Sequence, residues 1–259
     1  MSSVICEVKD GVMWITLNRP DRLNAIDLDV RNNIFNCLTM AESRDDVRVI
    51  VLTNRGNVFS IGADPAILKT MSEGSDYYVE SFLVNYGIAA IGSIIRKIDK
   101  PVIAVVRGLC LNGGFELIQY CDLVYASEDS VFGHAEVNFN TMPGGGGTQN
   151  LPRIIGEKKA KEMIMLGLKI TAKEAKELGI VNDVLPSDKL DDYVMDVINK
   201  LKSKDPRALA FIKKSINMVF DSPFSSGLDY ERRMFIEQIT SDSGRRGVEE
   251  YMKDPNKFI

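Results

Sequence analysis

The chain has 259 residues, enough for one large domain or a large domain with a smaller appendage. Its composition, 45% hydrophobic and 26% charged, is typical of a globular protein with a buried core. The formal net charge of -4 provides no general basic surface, so we expect no nucleic-acid partner.

The first elements in the chain are a predicted hairpin and a predicted helix. Two β-rich runs flank Asp10 and Gly11, a pair typical of a tight hairpin turn. Asp27 can then cap a helix, because the apolar residues that follow it recur at helical spacing. Those residues are Val30, Ile34, Leu38 and Ala41.

Strand and helix signals then alternate through roughly two-thirds of the chain. Continuous β-branched or apolar runs at 47–53, 101–106 and 122–127 predict strands that are covered on both faces. A helical stretch separates the last two runs. This alternation predicts an α/β fold.

The strand signals nearly vanish after about residue 157. The remaining segments have helical periodicity and are separated by Gly, Asp or Pro. This helical tail has no obvious core of its own, so we expect it to pack on the α/β part or on another subunit.

Cysteine spacing and hydropathy indicate the compartment. The four cysteines are widely spaced and form no pattern typical of a zinc site or a disulfide framework, which fits a reducing compartment. They are Cys6, Cys37, Cys110 and Cys121. The N-terminal segment does not resemble a signal peptide, and the apolar run at 81–95 is too short to span a membrane. We therefore expect a cytoplasmic protein with no membrane partner.

Two glutamates lie in apolar, glycine-rich surroundings. Glu116 lies in "LNGGFELIQYCD" and Glu136 in "FGHAEVNFNTMPGGGGTQ". Removing a carboxylate from water costs several kcal/mol unless it is paired or hydrogen-bonded. A solvated or ion-paired side chain is the commoner situation for glutamate. Two such residues in these surroundings raise the hypothesis of one shared site.

Glycine-rich junctions after predicted strands could present backbone N–H groups to a ligand. Gly113 and Gly114 begin the helix that carries Glu116, and the free amides of a first helical turn can bind an oxyanion. The same glycines could simply let the helix pack closely on its strand. In "FSIGAD" the N–H of Ala63 is a similar candidate, whereas "MPGGGGTQ" lacks the Lys-Ser/Thr ending of a phosphate-binding loop.

The motifs occur in a characteristic order: "NRPDRLNA", "FSIGAD", "GLCLNGGFEL", "YCDLVYAS", "FGHAEVNFNTMPGGGGTQNLPRIIG" and "TAKEAKELGIVNDVL". Together they resemble the crotonase, or enoyl-CoA hydratase/isomerase, superfamily over nearly the whole chain. The resemblance implies a spiral of ββα units at 1–200 that binds acyl-CoA. It also implies a C-terminal helical trimerisation region at 201–259, so we expect a homotrimer or a dimer of trimers.

The resemblance also implies roles for individual residues. The backbone N–H groups of Ala63 and Gly113 match an oxyanion hole for the thioester oxygen. Glu116 and Glu136 match the two acid/base carboxylates, and the N–H of Gly144 matches a group that helps to hold water. The expected coenzyme A contacts are Arg22, Ile61, Ala63, Asp64, Gly113 and Lys257, with Lys253 as an alternative to Lys257. The basic residues among them could equally be solvated surface charges.

Several positions depart from the family pattern. Ile61 replaces a small residue, Pro65 follows the Asp of "FSIGAD", Asn112 replaces a glycine, and His134 and Ala135 replace the usual pair before the second glutamate. We interpret His134 as a packing or hydrogen-bonding residue, because the glutamates already fill the acid/base roles. The segment 66–96, with Tyr77, Tyr78, Phe82 and Tyr86, is expected to wall the acyl pocket.

The implied activity is enoyl-CoA hydration, or the reverse dehydration of a 3-hydroxyacyl-CoA. We expect no metal and no redox cofactor, with coenzyme A entering as part of the substrate. One alternative is a Δ3,Δ2-enoyl-CoA isomerase, which can act with a single carboxylate. Another is a non-catalytic, RNA-binding member of the family, which the acidic net charge disfavours.

Overall fold

The computed structural model describes residues 2–77, 79, 81 and 87–258, with side chains as far as residue 256. The described strands form two sheets. Their bounds are β1 Val4–Lys9, β2 Val12–Leu17, β3 Val49–Asn54, β4 Val58–Ser60, β5 Val102–Val106, β6 Leu109–Leu111, β7 Leu123–Ser127, β8 Val131–Gly133, β9 Lys169–Thr171 and β10 Asp183–Leu185.

The larger sheet has six strands in the order β1-β2-β3-β5-β7-β10. Strands β1 and β2 form the predicted antiparallel hairpin, and Asp10 and Gly11 both adopt positive φ angles, as its tight turn requires. The other pairs are parallel. Strands β3 and β5 are buried along their whole length, as their continuous apolar runs predict.

The smaller sheet has the order β4-β6-β8-β9, and β4, β6 and β8 run parallel to one another. The carboxyl ends of parallel strands meet at one edge, which is where α/β proteins bind ligands. The segments that follow these three strands contain Ala63, Gly113 and Glu136 respectively. The sheet therefore gathers residues that are far apart in sequence.

Helices surround both sheets. Asp27 caps the first helix, as predicted, by accepting a hydrogen bond from the N–H of Val30 at 2.9 Å. The bounds of the helices are α1 Leu28–Ser43, α2 Pro65–Ser72, α3 Ile88–Lys97, α4 Gly113–Ile118, α5 Gly147–Ile155, α6 Glu157–Met165, α7 Ala172–Glu177, α8 Leu190–Lys202, α9 Pro206–Asn217, α10 Phe224–Ile239 and α11 Asp242–Lys253.

The core has two layers. One lies between α1, α3, α4 and the inner face of the larger sheet, and the other lies between α8 and the outer face of that sheet. Helix α8 contributes the buried residues Leu190, Val194 and Ile198 to the outer layer. Helix α8 also runs across residue 200, the boundary between the two predicted regions 1–200 and 201–259. That division of the chain stays a prediction.

The C-terminal helices leave large apolar side chains exposed. Ile216 and Phe220 are 63% and 58% exposed. Ile212, Phe224 and Ile236 are exposed in the same region. The helical tail therefore does not bury all of its apolar surface against its own chain.

Two cysteines that are distant in sequence lie together in the structure. Cys6 of β1 and Cys37 of α1 have a Cα–Cα distance of 6.0 Å, although their spacing in the sequence shows no disulfide pattern. The two residues are 31 positions apart, and only the packing of α1 on the hairpin brings them together. Among the helices of the described residues, none has the length and apolarity needed to cross a membrane.

Candidate active site

A cavity of about 480 Å³ opens at the carboxyl edge of the smaller sheet. Its walls come from the segments after β4, β6 and β8, from the N-terminal turn of α1 and from the glycine-rich segment before α5. Six of the predicted site residues line it: Ile61, Ala63, Gly113, Glu116, Glu136 and Gly144. The structure thus brings together residues from three separate motifs.

Two backbone amides lie side by side on the wall of this cavity. Gly62 has a φ of 94°, and a Cβ added to it would lie 2.5 Å from the nitrogen of Gly113, so only glycine allows the two loops to touch. A Cβ added to Gly113 would lie 3.4 Å from the nitrogen of Ala63. Neither the Ala63 nor the Gly113 N–H donates to an acceptor within the described residues. Both amides are therefore available to a ligand oxygen.

A buried polar network supports the loop that carries Ala63. The Ser60 hydroxyl accepts a hydrogen bond from the Gly62 N–H at 3.0 Å and donates to the Asn24 carbonyl oxygen at 2.8 Å. The Asn24 side-chain amide in turn donates to the carbonyl oxygen of Val58 at 2.6 Å. The "NRPDRLNA" motif thus holds the loop that carries Ala63 in place from behind.

Asn112 explains one of the departures from the family pattern. It adopts φ 52° and ψ -125°, a conformation that usually requires glycine. Its side-chain NH₂ donates to the carbonyl oxygen of Ile61 at 3.1 Å, and its side-chain oxygen accepts from the N–H of Ala135 at 2.8 Å. Asparagine therefore links the loop that carries Ala63 to the segment that carries Glu136.

Glu116 projects from the first turn of α4 and is only 3% exposed. Its Oε1 accepts hydrogen bonds from the N–H groups of Gly145 at 2.7 Å and Gly147 at 2.9 Å. Burial raises the pKa of this carboxyl, although the two amides and nearby His134 act in the opposite direction. The glycine-rich segment thus holds one oxygen of the carboxyl in place.

Glu136 begins a short 3-10 turn, Glu136–Phe139, and is 6% exposed. Its Oε1 lies 3.4 Å from Nδ1 of His134, and its buried Oε2 has no hydrogen-bond partner within the described residues. A buried carboxyl oxygen without a protein partner, on a residue that lines a cavity, is well suited to bind a water molecule or a reacting group.

Other predicted site residues lie elsewhere. Arg22 is exposed on the 3-10 turn Pro20–Arg22 and does not line the cavity. Asp64 caps α2 through the N–H of Ala66 at 3.0 Å and lies 3.6 Å from Arg19, a structural use that the sequence did not indicate. Lys257 belongs to the terminal turn Pro255–Phe258, and its side chain is outside the described part.

The segment proposed to wall the acyl pocket does contribute to the cavity. Ile67, Leu68, Met71 and Val79 line it. Tyr77 is exposed, whereas Tyr78, Phe82 and Tyr86 lie outside the described residues.

Sequence reasoning missed three residues of the site. Arg31 lines the cavity one helical turn after the Asp27 cap, a spacing that could have indicated it. Gly145 binds Glu116, but nothing distinguishes it from its neighbouring glycines in the sequence. Gln119, three residues after Glu116, contacts His134.

Comparisons with known proteins show the family of this chain. The family model described as enoyl-CoA hydratase/isomerase matches residues 7–258. The chain belongs to the enoyl-CoA hydratase/isomerase family. It is 31% identical to the 2,3-dehydroadipyl-CoA hydratase of Escherichia coli over 253 residues, covering 98% of this chain and 96% of that protein. It is 32% identical over 247 residues to a probable mitochondrial enoyl-CoA hydratase of Dictyostelium discoideum, covering 95% and 87% of the two chains.

Solved structures show the same fold. The crystal structure of enoyl-CoA hydratase from Thermoplasma volcanium superimposes with a TM-score of 0.88 at 31% identity, covering 97% of this chain and 98% of that one. The enoyl-CoA hydratase structure from Bacillus anthracis gives 0.88 at 30% identity, covering 97% and 96%. The predicted α/β crotonase fold with C-terminal helices is therefore confirmed.

Proposed function

We propose that this protein is an enoyl-CoA hydratase, and equally a 3-hydroxyacyl-CoA dehydratase, that adds water reversibly to a 2-enoyl-CoA thioester. The observation that supports this most strongly is the presence of two buried carboxyls, Glu116 and Glu136, in one cavity with two unused backbone amides. Family membership makes an acyl-CoA the expected ligand.

The amides of Ala63 and Gly113 would bind the thioester oxygen. This oxygen gains negative charge when hydroxide adds at Cβ and an enolate forms, so donors placed beforehand stabilise the transition state more than the ground state. Removal of one such donor typically costs about 3–4 kcal/mol of transition-state stabilisation.

Glu116 and Glu136 would act on one water molecule. The oxygen of the water bonds to Cβ, one O–H bond breaks, and a proton is delivered to Cα, so the two carboxyls together carry the proton from one site to the other. The reaction is redox-neutral, and we propose that it uses no metal and no redox cofactor.

The apolar part of the cavity would hold the acyl chain and part of coenzyme A. Ile67, Leu68, Met71, Ile88 and Met142 contribute to this apolar wall. Among the described residues that line the cavity, Arg31 is the one with a positively charged side chain. We therefore propose it as a contact for the coenzyme A moiety, in addition to Arg22, Asp64 and Lys257.

We also propose a homotrimer or a dimer of trimers. Its support is the exposed apolar surface of the C-terminal helices, which includes Ile212, Ile216 and Phe220. A contiguous apolar surface of this kind is typical of an interface between subunits.

The function is tested by giving the purified protein a 2-enoyl-CoA and, separately, the matching 3-enoyl-CoA. The proposal predicts rapid hydration of the 2-enoyl thioester. Turnover confined to migration of the double bond in the 3-enoyl thioester would favour an isomerase instead, and no turnover of either would overturn the proposed activity.

A further inference from the structure

His134 is a fully buried residue in contact with the second glutamate. Its Nδ1 lies 3.4 Å from Oε1 of Glu136, and its Nε2 lies 3.3 Å from the side-chain nitrogen of Gln119. The ring of Phe115 packs at a centroid distance of 4.9 Å. The imidazole therefore bridges an amide and a carboxyl inside the protein.

The neighbours of His134 determine which ring nitrogen carries the proton. The NH₂ group of Gln119 can only donate, so the Nε2 that faces it must be an unprotonated acceptor. The proton of a neutral ring then lies on Nδ1, from which it is donated to Glu136. If the amide of Gln119 were reversed, its oxygen would face a protonated Nε2. A bare Nδ1 would then face an acceptor wherever Glu136 is an ionised carboxylate, unless the ring were cationic. Beside an ionised Glu136, both favourable arrangements therefore keep a proton on Nδ1.

The glycine-rich segment is shaped around this imidazole. A Cβ added to Gly147 would lie 2.5 Å from Cε1 and 2.7 Å from Nε2 of His134. The N–H of Gly147 also donates to Glu116 at 2.9 Å. The same backbone segment therefore fixes Glu116 directly and leaves the space that His134 needs beside Glu136.

We propose that His134 is a positioning residue for the hydration reaction. Its Nδ1–H holds Oε1 of Glu136 and leaves Oε2, which has no protein partner in the described residues, directed to the reacting water. Gln119 fixes the tautomer from the other side of the ring. The charged groups that face His134 are Glu136 and Glu116. This inference rests on the proposed hydratase function.

The tautomer can be measured without any activity assay. His134 is the only histidine in the chain, so a long-range ¹H–¹⁵N spectrum of the histidine-labelled protein contains a single imidazole. We expect the proton on Nδ1 in the wild type at neutral pH, and a shift of the population toward Nε2–H in Gln119→Leu. A wild-type ring protonated only at Nε2 would overturn the inference.

Kinetics test the positioning role. His134→Phe should lower kcat roughly 10- to 100-fold and change KM by less than about threefold. His134→Gln, which keeps a donor, should recover most of the loss. Phe132→Leu is the matched control, because Phe132 is equally buried and also packs on Phe115 but has no group that could donate a hydrogen bond to Glu136. If His134→Phe behaves like this control, or if His134→Gln loses as much kcat as His134→Phe, the inference is wrong.

A double-mutant cycle provides a further criterion, which stands even where His134→Phe folds poorly. If Gln119 acts through His134, Gln119→Leu should lower kcat when His134 is present. In the His134→Gln background it should have no further effect, so that kcat of the double variant equals that of His134→Gln alone. Additive losses would contradict the proposed chain of contacts. Failure of the wild type to hydrate any enoyl-CoA would overturn the proposed function instead, while the spectrum would still report the tautomer.

Discussion

The side-chain amide of Asn112 donates to the carbonyl oxygen of Ile61 at 3.1 Å and thereby joins the loops that carry Ala63 and Gly113. The backbone of Asn112 immediately precedes Gly113, and Ile61 lies two residues before Ala63. The side-chain oxygen of Asn112 also accepts a hydrogen bond from the N–H of Ala135, the residue before Glu136. One side chain therefore sets the relative positions of three parts of the site.

We predict that Asn112→Gly lowers kcat/KM, because glycine accepts the backbone conformation but cannot hold Ile61 and Ala135. Asn112→Ala should lose the same hydrogen bonds and also be less stable than the glycine variant by about 1–2 kcal/mol, since alanine disfavours a positive φ. Urea unfolding and steady-state kinetics on both variants measure the two effects. A glycine variant with wild-type kcat/KM would show that these bonds do not position the site.

Glu116 gives a pH dependence with a definite sign. Its pKa is raised in the folded state, so the folded protein binds more protons than the unfolded chain between the two pKa values. Stability is therefore lost as pH rises through that window, at no more than about 1.4 kcal/mol per pH unit. Glutamine does not titrate, so Glu116→Gln should not show this loss. Its free energy of unfolding should therefore increase relative to that of the wild type as pH rises from about 4. Parallel denaturation curves at all pH values would contradict this assignment.

Ile61 lines the cavity, and we predict that it limits the acyl chains that the enzyme accepts. Ile61→Ala would remove about three methylene-sized groups and should broaden the chain-length profile, with about 1–3 kcal/mol of change in kcat/KM for one or two methylenes. Measurement of Tm on the same variant separates this from a core role. A lower Tm with an unchanged profile would show that the side chain acts in packing alone.

Assembly is tested by light scattering at micromolar concentration. We expect a trimer or a hexamer for the wild type and dissociation for Ile216→Asp, because a charge would be buried in the proposed interface. Met40→Asp, at an exposed apolar position of α1, serves as the control and should leave the assembly unchanged. A monomeric wild type would contradict the proposed interface.

The sequence was sufficient for the parts of the site that depend on local signals. Ala63 and Gly113 come after predicted strands, and Glu116 lies in the helix predicted to begin near Gly113. The smaller sheet, which the sequence did not predict, brings them together with Glu136. The contact between Gln119 and His134 depends on how α4 packs on the segment after β8, and no local pattern encodes it.

The same limit explains the residues that the sequence did not identify. Arg22 follows the "NRP" motif but is exposed and does not line the cavity, whereas Arg31 lines it from the next element. The bond from Gly145 to Glu116 forms between residues 29 positions apart, so only the folded chain distinguishes Gly145 from the other glycines.

The action of two glutamates on one water molecule is tested most directly by the hydration rates of Glu116→Gln, Glu136→Gln and the double variant. Each single variant should retain acyl-CoA binding and lose about 10²-fold or more in kcat. The double variant should be far less impaired than the product of the two losses, because the residues act as a unit. Wild-type turnover in either single variant, or fully multiplicative losses, would contradict the shared-water mechanism.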